Sequence, residues 1–238
     1  MNDVQVRGTH NSYQPPLPAL DRQLDEGIRQ LELDVWAQPD GTFAVYHSAA
    51  DTRSTCPTLD VCLAAVRAWL EGHRLSLPVF LIIENKGPDA ADALDATVRA
   101  ELPGGLLVNP SEVVGGRWPT LAATRGRVIP VLIGAHPRSG AIFVYASSGP
   151  QAAITSRPDP VSQAPDIAAL IGAGLVVRTQ ADGDDLLIDQ HRRDAAVDNG
   201  AQIVSARDDG FRLAPGVSFR CDPLVPSPCR DEDLERTR

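Results

Sequence analysis

The strongest constraint on the fold is the run Val79-Phe80-Leu81-Ile82-Ile83, five consecutive apolar residues closed by Glu84. A strand that is apolar on both faces needs cover on both faces, as in a parallel sheet flanked by helices. Further strand-like runs read at 4–7, 31–36, 42–47, 127–133, 142–145, 175–178 and 202–205. Between them, apolar residues fall at helical spacing, as in Leu20, Leu24 and Ile28, or Leu59, Leu63, Val66 and Leu70. Helices are predicted there and over 90–102, 167–171 and 192–199, with Thr58 as an N-cap. The turn Pro39-Asp40-Gly41 makes runs 31–36 and 42–47 a hairpin. Strands and helices alternate throughout, with seven or eight strands, which predicts an α/β chain folded as a (β/α)8-like barrel. A doubly wound open sheet is the alternative, and strand counting does not separate the two. The 238 residues show no repeat or linker, so one domain over 1–238 is expected.

Composition narrows the function classes. Apolar residues make up 43% and charged residues 22%, the balance of a soluble globular protein. A formal charge of −9 argues against a nucleic-acid partner and against bulk attraction to anionic membranes. No run reaches the roughly 18 apolar residues of a membrane-spanning helix. The N-terminus reads as lacking a signal peptide, so a leader is expected to have been removed. The cysteines form two close pairs, Cys56/Cys62 and Cys221/Cys229. Two local disulfides in an exported protein are the favoured reading. Four thiols in a cytosolic protein, or one zinc shared by all four, are the alternatives, although the spacing is not that of a zinc ribbon.

Barrel enzymes carry their chemistry at the C-terminal ends of strands. His10 and Asn11 follow the first run, His47 ends Phe43-Ala44-Val45-Tyr46, and Glu84 ends the apolar run. In Leu31-Glu32-Leu33-Asp34-Val35-Trp36, strand geometry puts Glu32 and Asp34 on one face and Leu31, Leu33 and Val35 on the other. The leucine face suits the helices, so both carboxylates point into the barrel; Glu84 shares a face with Ile82 and Lys86. Three converging carboxylates repel one another unless a cation is present. Carboxylates with an Asn carbonyl are oxygen ligands, suited to Ca2+ or Mg2+ rather than zinc. His10 and His47 are then available as acid and base, since imidazole titrates near neutrality. His73, His136 and His191 lie in polar surroundings and receive no role.

The order His-Asn (10–11), Glu-x-Asp (32–34), His47 and Glu-Asn (84–85) resembles the catalytic domain of phosphoinositide-specific phospholipase C. The 13-residue step from Asp34 to His47 fits that family, and the closer likeness is to its bacterial and fungal calcium-dependent branch. Segments 27–35, 56–63, 117–121, 177–182, 192–196, 200–205 and 220–223 carry that likeness along nearly the whole chain. The resemblance implies a distorted TIM barrel of the phospholipase C-like type and an exported protein. It implies Ca2+ held by Asn11, Glu32, Asp34 and Glu84, with His10 and His47 serving the chemistry.

The implied reaction is attack of an inositol 2-hydroxyl on phosphorus. Glu32 or His10 takes the proton, and His47 protonates the departing diacylglycerol oxygen. Lys86 and Arg178, read as strand-end residues, are expected to hold phosphate or ring hydroxyls; the alternative is a salt bridge with the metal carboxylates. The animal enzymes carry lysines on the strand matching 127–133, where this chain has none, so polyphosphorylated inositides are not the expected substrate. The expected partner is a phospholipid or inositol phosphodiester, with transient membrane contact and a monomeric protein. A glycerophosphodiester phosphodiesterase or phospholipase D shares the Glu-x-Asp…His layout, but its first His is usually followed by Arg-Gly rather than Asn-Ser. A non-catalytic barrel that binds a head group or glycan is the third reading.

Overall fold

The computed structural model describes residues 4–114, 116–134, 140, 142–149, 152–183 and 188–221. The described residues form ten strands: β1 (Gln5–Thr9), β2 (Gln30–Ala37), β3 (Phe43–Val45), β4 (Val79–Asn85), β5 (Val128–Ile133), β6 (Phe143–Val144), β7 (Ile154–Ser156), β8 (Val176–Gln180), β9 (Ile203–Ala206) and β10 (Phe219–Arg220). The helices are α1 (Leu20–Asp25), α2 (Leu59–Gly72), α3 (Ala91–Glu101), α4 (Leu121–Thr124), α5 (Ala164–Gly172) and α6 (Gln190–Asp198).

Eight parallel strands run in the order β6-β5-β4-β2-β1-β9-β8-β7. A parallel bridge between Tyr145 and Ile154 brings the two ends together, so the sheet is a nearly closed barrel and not an open doubly wound sheet. β3 pairs antiparallel with β2, as the hairpin reading requires, and β10 pairs antiparallel with β1. Alternation along the strands divides the core in two. Leu31, Leu33 and Val35 belong to the cluster containing Leu63, Val66 and Leu70 of α2. Val6, Phe80, Ile82, Ile129, Val131, Ile154, Val176 and Ile203 fill the barrel. Glu32 pairs in register with Ile82, so the carboxylate face of β2 is the inner face.

Several local expectations are corrected. Helix α1 stops at Asp25 rather than running to Ile28, because Gly27 turns to φ 85°. The N–H of Ile28 then donates to Gln23 and that of Gly27 to Leu24, which satisfies the last carbonyls as a Schellman turn does. Thr58 occupies the N-cap position of α2 but gives it no side-chain hydrogen bond. β7, β10 and α4 carry too few residues for a periodic pattern and were not predicted.

Cys56 and Cys62 form a disulfide that ties the loop before α2 to the helix itself. Cys221 is also disulfide-bonded, while Cys229 and His136 lie outside the described residues. His73 stacks on Trp69 and His191 is exposed on α6, in line with neither having a catalytic role.

Candidate active site

The site is built on the turn that follows β1. Asn11 is the only non-glycine residue among those described with a left-handed backbone, at φ 50°. Polar contacts hold the turn on β2: the Ser12 N–H donates to the Glu32 carbonyl at 2.9 Å, and the Glu32 N–H donates to Ser12 Oγ at 2.7 Å. Thr9 Oγ1 lies 2.7 Å from Ser12 Oγ and donates to Gln23 Oε1 at the same distance. This buried network places His10 and Asn11 directly over the inward carboxylates.

Glu32 and Asp34 are both buried. Burial raises the Glu32 pKa, against the opposing pull of Arg178. Burial also raises that of Asp34, aided by Glu84 and opposed by Lys86. Their partners divide cleanly. Glu32 Oε2 accepts from Arg178 at 2.5 Å and stands 4.0 Å from His10 Nε2. Asp34 Oδ2 lies 3.1 Å from His47 Nδ1 and 3.5 Å from Lys86 Nζ, and the same ammonium is 2.9 Å from Glu84 Oε1. His47 Nδ1 also faces Asn11 Nδ2 at 3.3 Å. The nearer, charged carboxylate is the natural acceptor for an Nδ1 proton, which leaves Nε2 as the nitrogen for proton transfer.

The structure therefore brings together His10, Asn11, Glu32, Asp34, His47, Glu84, Lys86 and Arg178. One expectation changes in detail. Arg178 lies in the middle of β8, not at its end, buried between Glu32 and Ser205 Oγ, which its Nε reaches at 3.2 Å. Burial disfavours its charge, but Glu32 more than restores it and its pKa is raised. Among the described residues, no group of three or more His, Cys, Asp or Glu is gathered that could hold an ion. Arg178 pairs with Glu32, and Lys86 pairs with Asp34 and Glu84. The donor set still suits a hard cation, with carboxylate and amide oxygens on neighbouring elements. Oδ1 of Asp34 is buried without a well-formed hydrogen bond, an acceptor available for one more cationic partner.

Two tyrosines were missed. Tyr13 is fully buried, and burial together with the neighbouring Asp34 carboxylate drives its pKa upward, so its hydroxyl stays protonated beside that carboxylate. Its place directly after His-Asn-Ser was the available signal. Tyr145, at the end of β6, is likewise pushed up by burial and sets its hydroxyl by Arg178. Beside the histidines a cavity of about 440 Å³ opens, lined by His10, Asn11 and His47 on one side and by Pro16, Leu17, Arg53 and Arg207 on the other. Asp51 fixes Arg53 through bonds of 2.8 and 2.7 Å. No sequence motif pointed to Arg53 or Arg207.

Comparison with known proteins gives the family and the fold. Residues 10–131 match the family described as phosphatidylinositol-specific phospholipase C, X domain. Residues 88–209 match the family described as phosphoinositide phospholipase C, Ca2+-dependent. No curated protein matches the chain. Among solved structures, the calcium-dependent phosphoinositol-specific phospholipase C of a Gram-negative Pseudomonas sp. superposes with a TM-score of 0.71 at 17% identity, over 92% of this chain and 94% of that one. The Ca2+-dependent phosphatidylinositol-specific phospholipase C of Streptomyces antibioticus gives 0.70 at 19% identity, over 87% and 94%. L. pealei PLC21 gives 0.62 at 15% identity, over 86% of this chain and 33% of that chain. At these identities the superpositions establish the fold, a phospholipase C-like TIM barrel.

Proposed function

Because the chain belongs to the Ca2+-dependent phosphoinositide phospholipase C family, and is a phosphodiesterase of that kind, we propose that it cleaves phosphatidylinositol to a cyclic inositol phosphate and diacylglycerol. The observation that carries this reading is the pairing of each histidine with its own inward carboxylate, His10 with Glu32 and His47 with Asp34, beside one cavity. That arrangement suits two proton transfers at one phosphorus.

The inositol 2-hydroxyl oxygen forms the new bond to phosphorus, and its proton passes to Glu32 or to His10. The bond from phosphorus to the glycerol oxygen breaks as His47 delivers a proton to that oxygen. Asp34 holds the His47 ring through Nδ1 and fixes its orientation. His10 donates to the phosphoryl oxygen where charge builds up. Asn11, Glu32, Asp34 and Glu84 are the residues that would hold Ca2+, which when bound supplies positive charge at the phosphoryl group and favours ionisation of the attacking hydroxyl. Arg178 is pinned deep in the barrel and orients Glu32; Lys86 stands nearer the mouth.

The cavity beside His47 takes the departing diacylglycerol, with Pro16 and Leu17 against the lipid and Arg53 over its ester oxygens. Val161 and Ile188, 45% and 67% exposed in the loops that follow β7 and β8, give the mouth apolar contacts for a bilayer surface. The Cys56–Cys62 disulfide supports an exported protein, here taken as a monomer.

The test is release of cyclic inositol phosphate from phosphatidylinositol vesicles with and without calcium, beside glycerophosphocholine as a competing substrate. We expect calcium-dependent release from phosphatidylinositol alone. Turnover of glycerophosphocholine in preference, or full activity in Glu32→Gln, overturns the assignment.

A further inference from the structure

The carboxylates assigned to the metal meet two cations of different character. Arg178 is 3% exposed, and its guanidinium is fixed by Glu32 and Ser205 together. A planar guanidinium held by several partners at once in a rigid fork does not exchange them readily. Lys86 is the opposite case. Its backbone N–H is anchored on the Val35 carbonyl, but its side chain is 24% exposed and ends in a single ammonium shared by Glu84 at 2.9 Å and Asp34 at 3.5 Å. An ammonium on a four-carbon stem is a point charge that exchanges partners readily. The two oxygens it holds belong to two of the proposed metal ligands. Ion and ammonium cannot share these oxygens without strong like-charge repulsion.

Building on the calcium assignment above, we propose that Lys86 is an exchangeable counter-ion. In the metal-free protein it bridges Glu84 and Asp34 and offsets their charge. It yields those oxygens when calcium binds, and its ammonium then moves to a non-bridging oxygen of the phosphodiester. Three features of the geometry favour this. Lys86 directly follows β4, with its N–H on the Val35 carbonyl of β2 and its ammonium on Glu84, so its swing stays beside the strand ends that carry the carboxylates. The ammonium lies 3.5 Å from Asp34 Oδ2, the oxygen that also meets His47 Nδ1 at 3.1 Å, so it stands beside the proposed proton-transfer group. Each contact of Lys86 with the carboxylates is a single ammonium–oxygen pair, so Asp34 keeps His47 when Lys86 leaves.

The experiment is calorimetric titration of the full chain with CaCl2, after chelation and in substrate-free buffer, comparing wild type, Lys86→Met and Lys86→Arg. Steady-state kinetics on phosphatidylinositol vesicles and thermal melting in chelator accompany it. Lys86→Met should bind calcium about tenfold more tightly, the size expected when one like charge leaves the edge of a partly exposed site. It should melt at a lower temperature in chelator, and its kcat/KM at saturating calcium should fall. Lys86→Arg should keep the weaker, wild-type-like calcium affinity, showing that charge and not chain length competes. Equal calcium affinity in wild type and Lys86→Met overturns the exchange. Tighter binding with unchanged kcat/KM overturns the transfer to phosphate. If wild type itself binds no calcium, the metal assignment of the preceding section fails, and that outcome is distinct from both others.

Discussion

Among the described residues, six consecutive pairs join β2 to β4 and six join β4 to β5, whereas a single pair joins β1 to β2 and a single bridge joins Tyr145 to Ile154 across the closing seam. The long ladders lie where the proposed metal-ligand carboxylates stand. Glu32, Asp34 and Glu84 all stand on them, and each position is set by backbone pairing on both sides of β4. At the β1–β2 seam the ladder stops after Gly8 and Gln30, and side chains take over. Gln30 Nε2 donates to the Thr9 carbonyl at 3.2 Å, and Ser12 exchanges two hydrogen bonds with the Glu32 backbone. The seam is thus where the chain leaves regular structure to present His10 and Asn11. Regular pairing fixes the carboxylates, and a polar side-chain network fixes the groups that work against them.

The largest effect is expected on the long-ladder side. Asp34→Asn removes the carboxylate that orients His47, one proposed metal ligand and one partner of Lys86, without changing shape. We expect kcat on phosphatidylinositol to fall by about 10² to 10⁴-fold, the range for losing a positioned proton-transfer group. Near-wild-type turnover would break the pairing of His47 with Asp34 as the basis of the site.

Next comes the seam itself. A Cβ on Gly8 would lie 2.0 Å from Gln30 Oε1 and 2.6 Å from its Cβ. Gly8→Ala therefore forces Gln30 off the turn, and we expect a loss of about 1–3 kcal/mol, as for overpacking a close-fitting interior. Urea unfolding reads the loss, and the effect should exceed that of alanine at Gly72, which has no left-handed backbone and whose Cβ would meet nothing within 4 Å. Equal costs would mean that the single-pair seam is not tightly fitted. The disulfide tests the loop that carries Asp51 and Arg53. It closes a sequence separation of 6, for which chain entropy gives about 2 kcal/mol. Cys56→Ala with Cys62→Ala should lose that much in the same unfolding assay, while kcat on a short-chain soluble substrate stays within about threefold.

The same contrast explains what the sequence made legible. β2 and β4 could be read because they are long, apolar and interrupted by charge at period-2 positions, so Glu32, Asp34 and Glu84 stood out against their neighbours. β7 could not, since Ile154-Thr155-Ser156 is too short to show alternation and draws its place from the strands beside it. His10, Asn11 and His47 were found through their order along the chain. Tyr13 and Tyr145 act through burial against Asp34 and Arg178, which depends on three-dimensional proximity. The pairing of Lys86 and Arg178 with the carboxylates, weighed in the sequence as the alternative to phosphate binding, is what the folded chain shows. Arg178 lies 146 residues from Glu32, and no local pattern announces such a contact. Arg53 and Arg207 come from different loops and meet only in the folded mouth.

The smallest effect is a pH dependence, and it discriminates the buried carboxylates from the surface ones. Glu32 and Asp34 have raised pKa values, so in the folded, metal-free protein they hold protons at pH values where an ordinary carboxylate has lost them. Metal binding needs the ionised forms. Calcium affinity should therefore fall as pH drops through the raised values, by up to about tenfold per pH unit for each proton displaced, or about 1.4 kcal/mol. Stability without calcium has the opposite slope from these two groups. A carboxylate whose pKa is raised by folding stabilises the fold below its unfolded pKa, and that contribution is lost as pH rises through the folded value. Asp51, Glu112 and Asp159 have lowered pKa values from their hydrogen bonds, so their stabilisation is present above the ordinary carboxylate range and fades only below it. In the window above that range, mild acidification should raise the melting temperature in chelator while shrinking the gain produced by calcium. Melting curves with and without calcium across that window check both slopes at once. Parallel curves would mean that Glu32 and Asp34 do not change protonation there, and would confine the proton–metal competition to other groups.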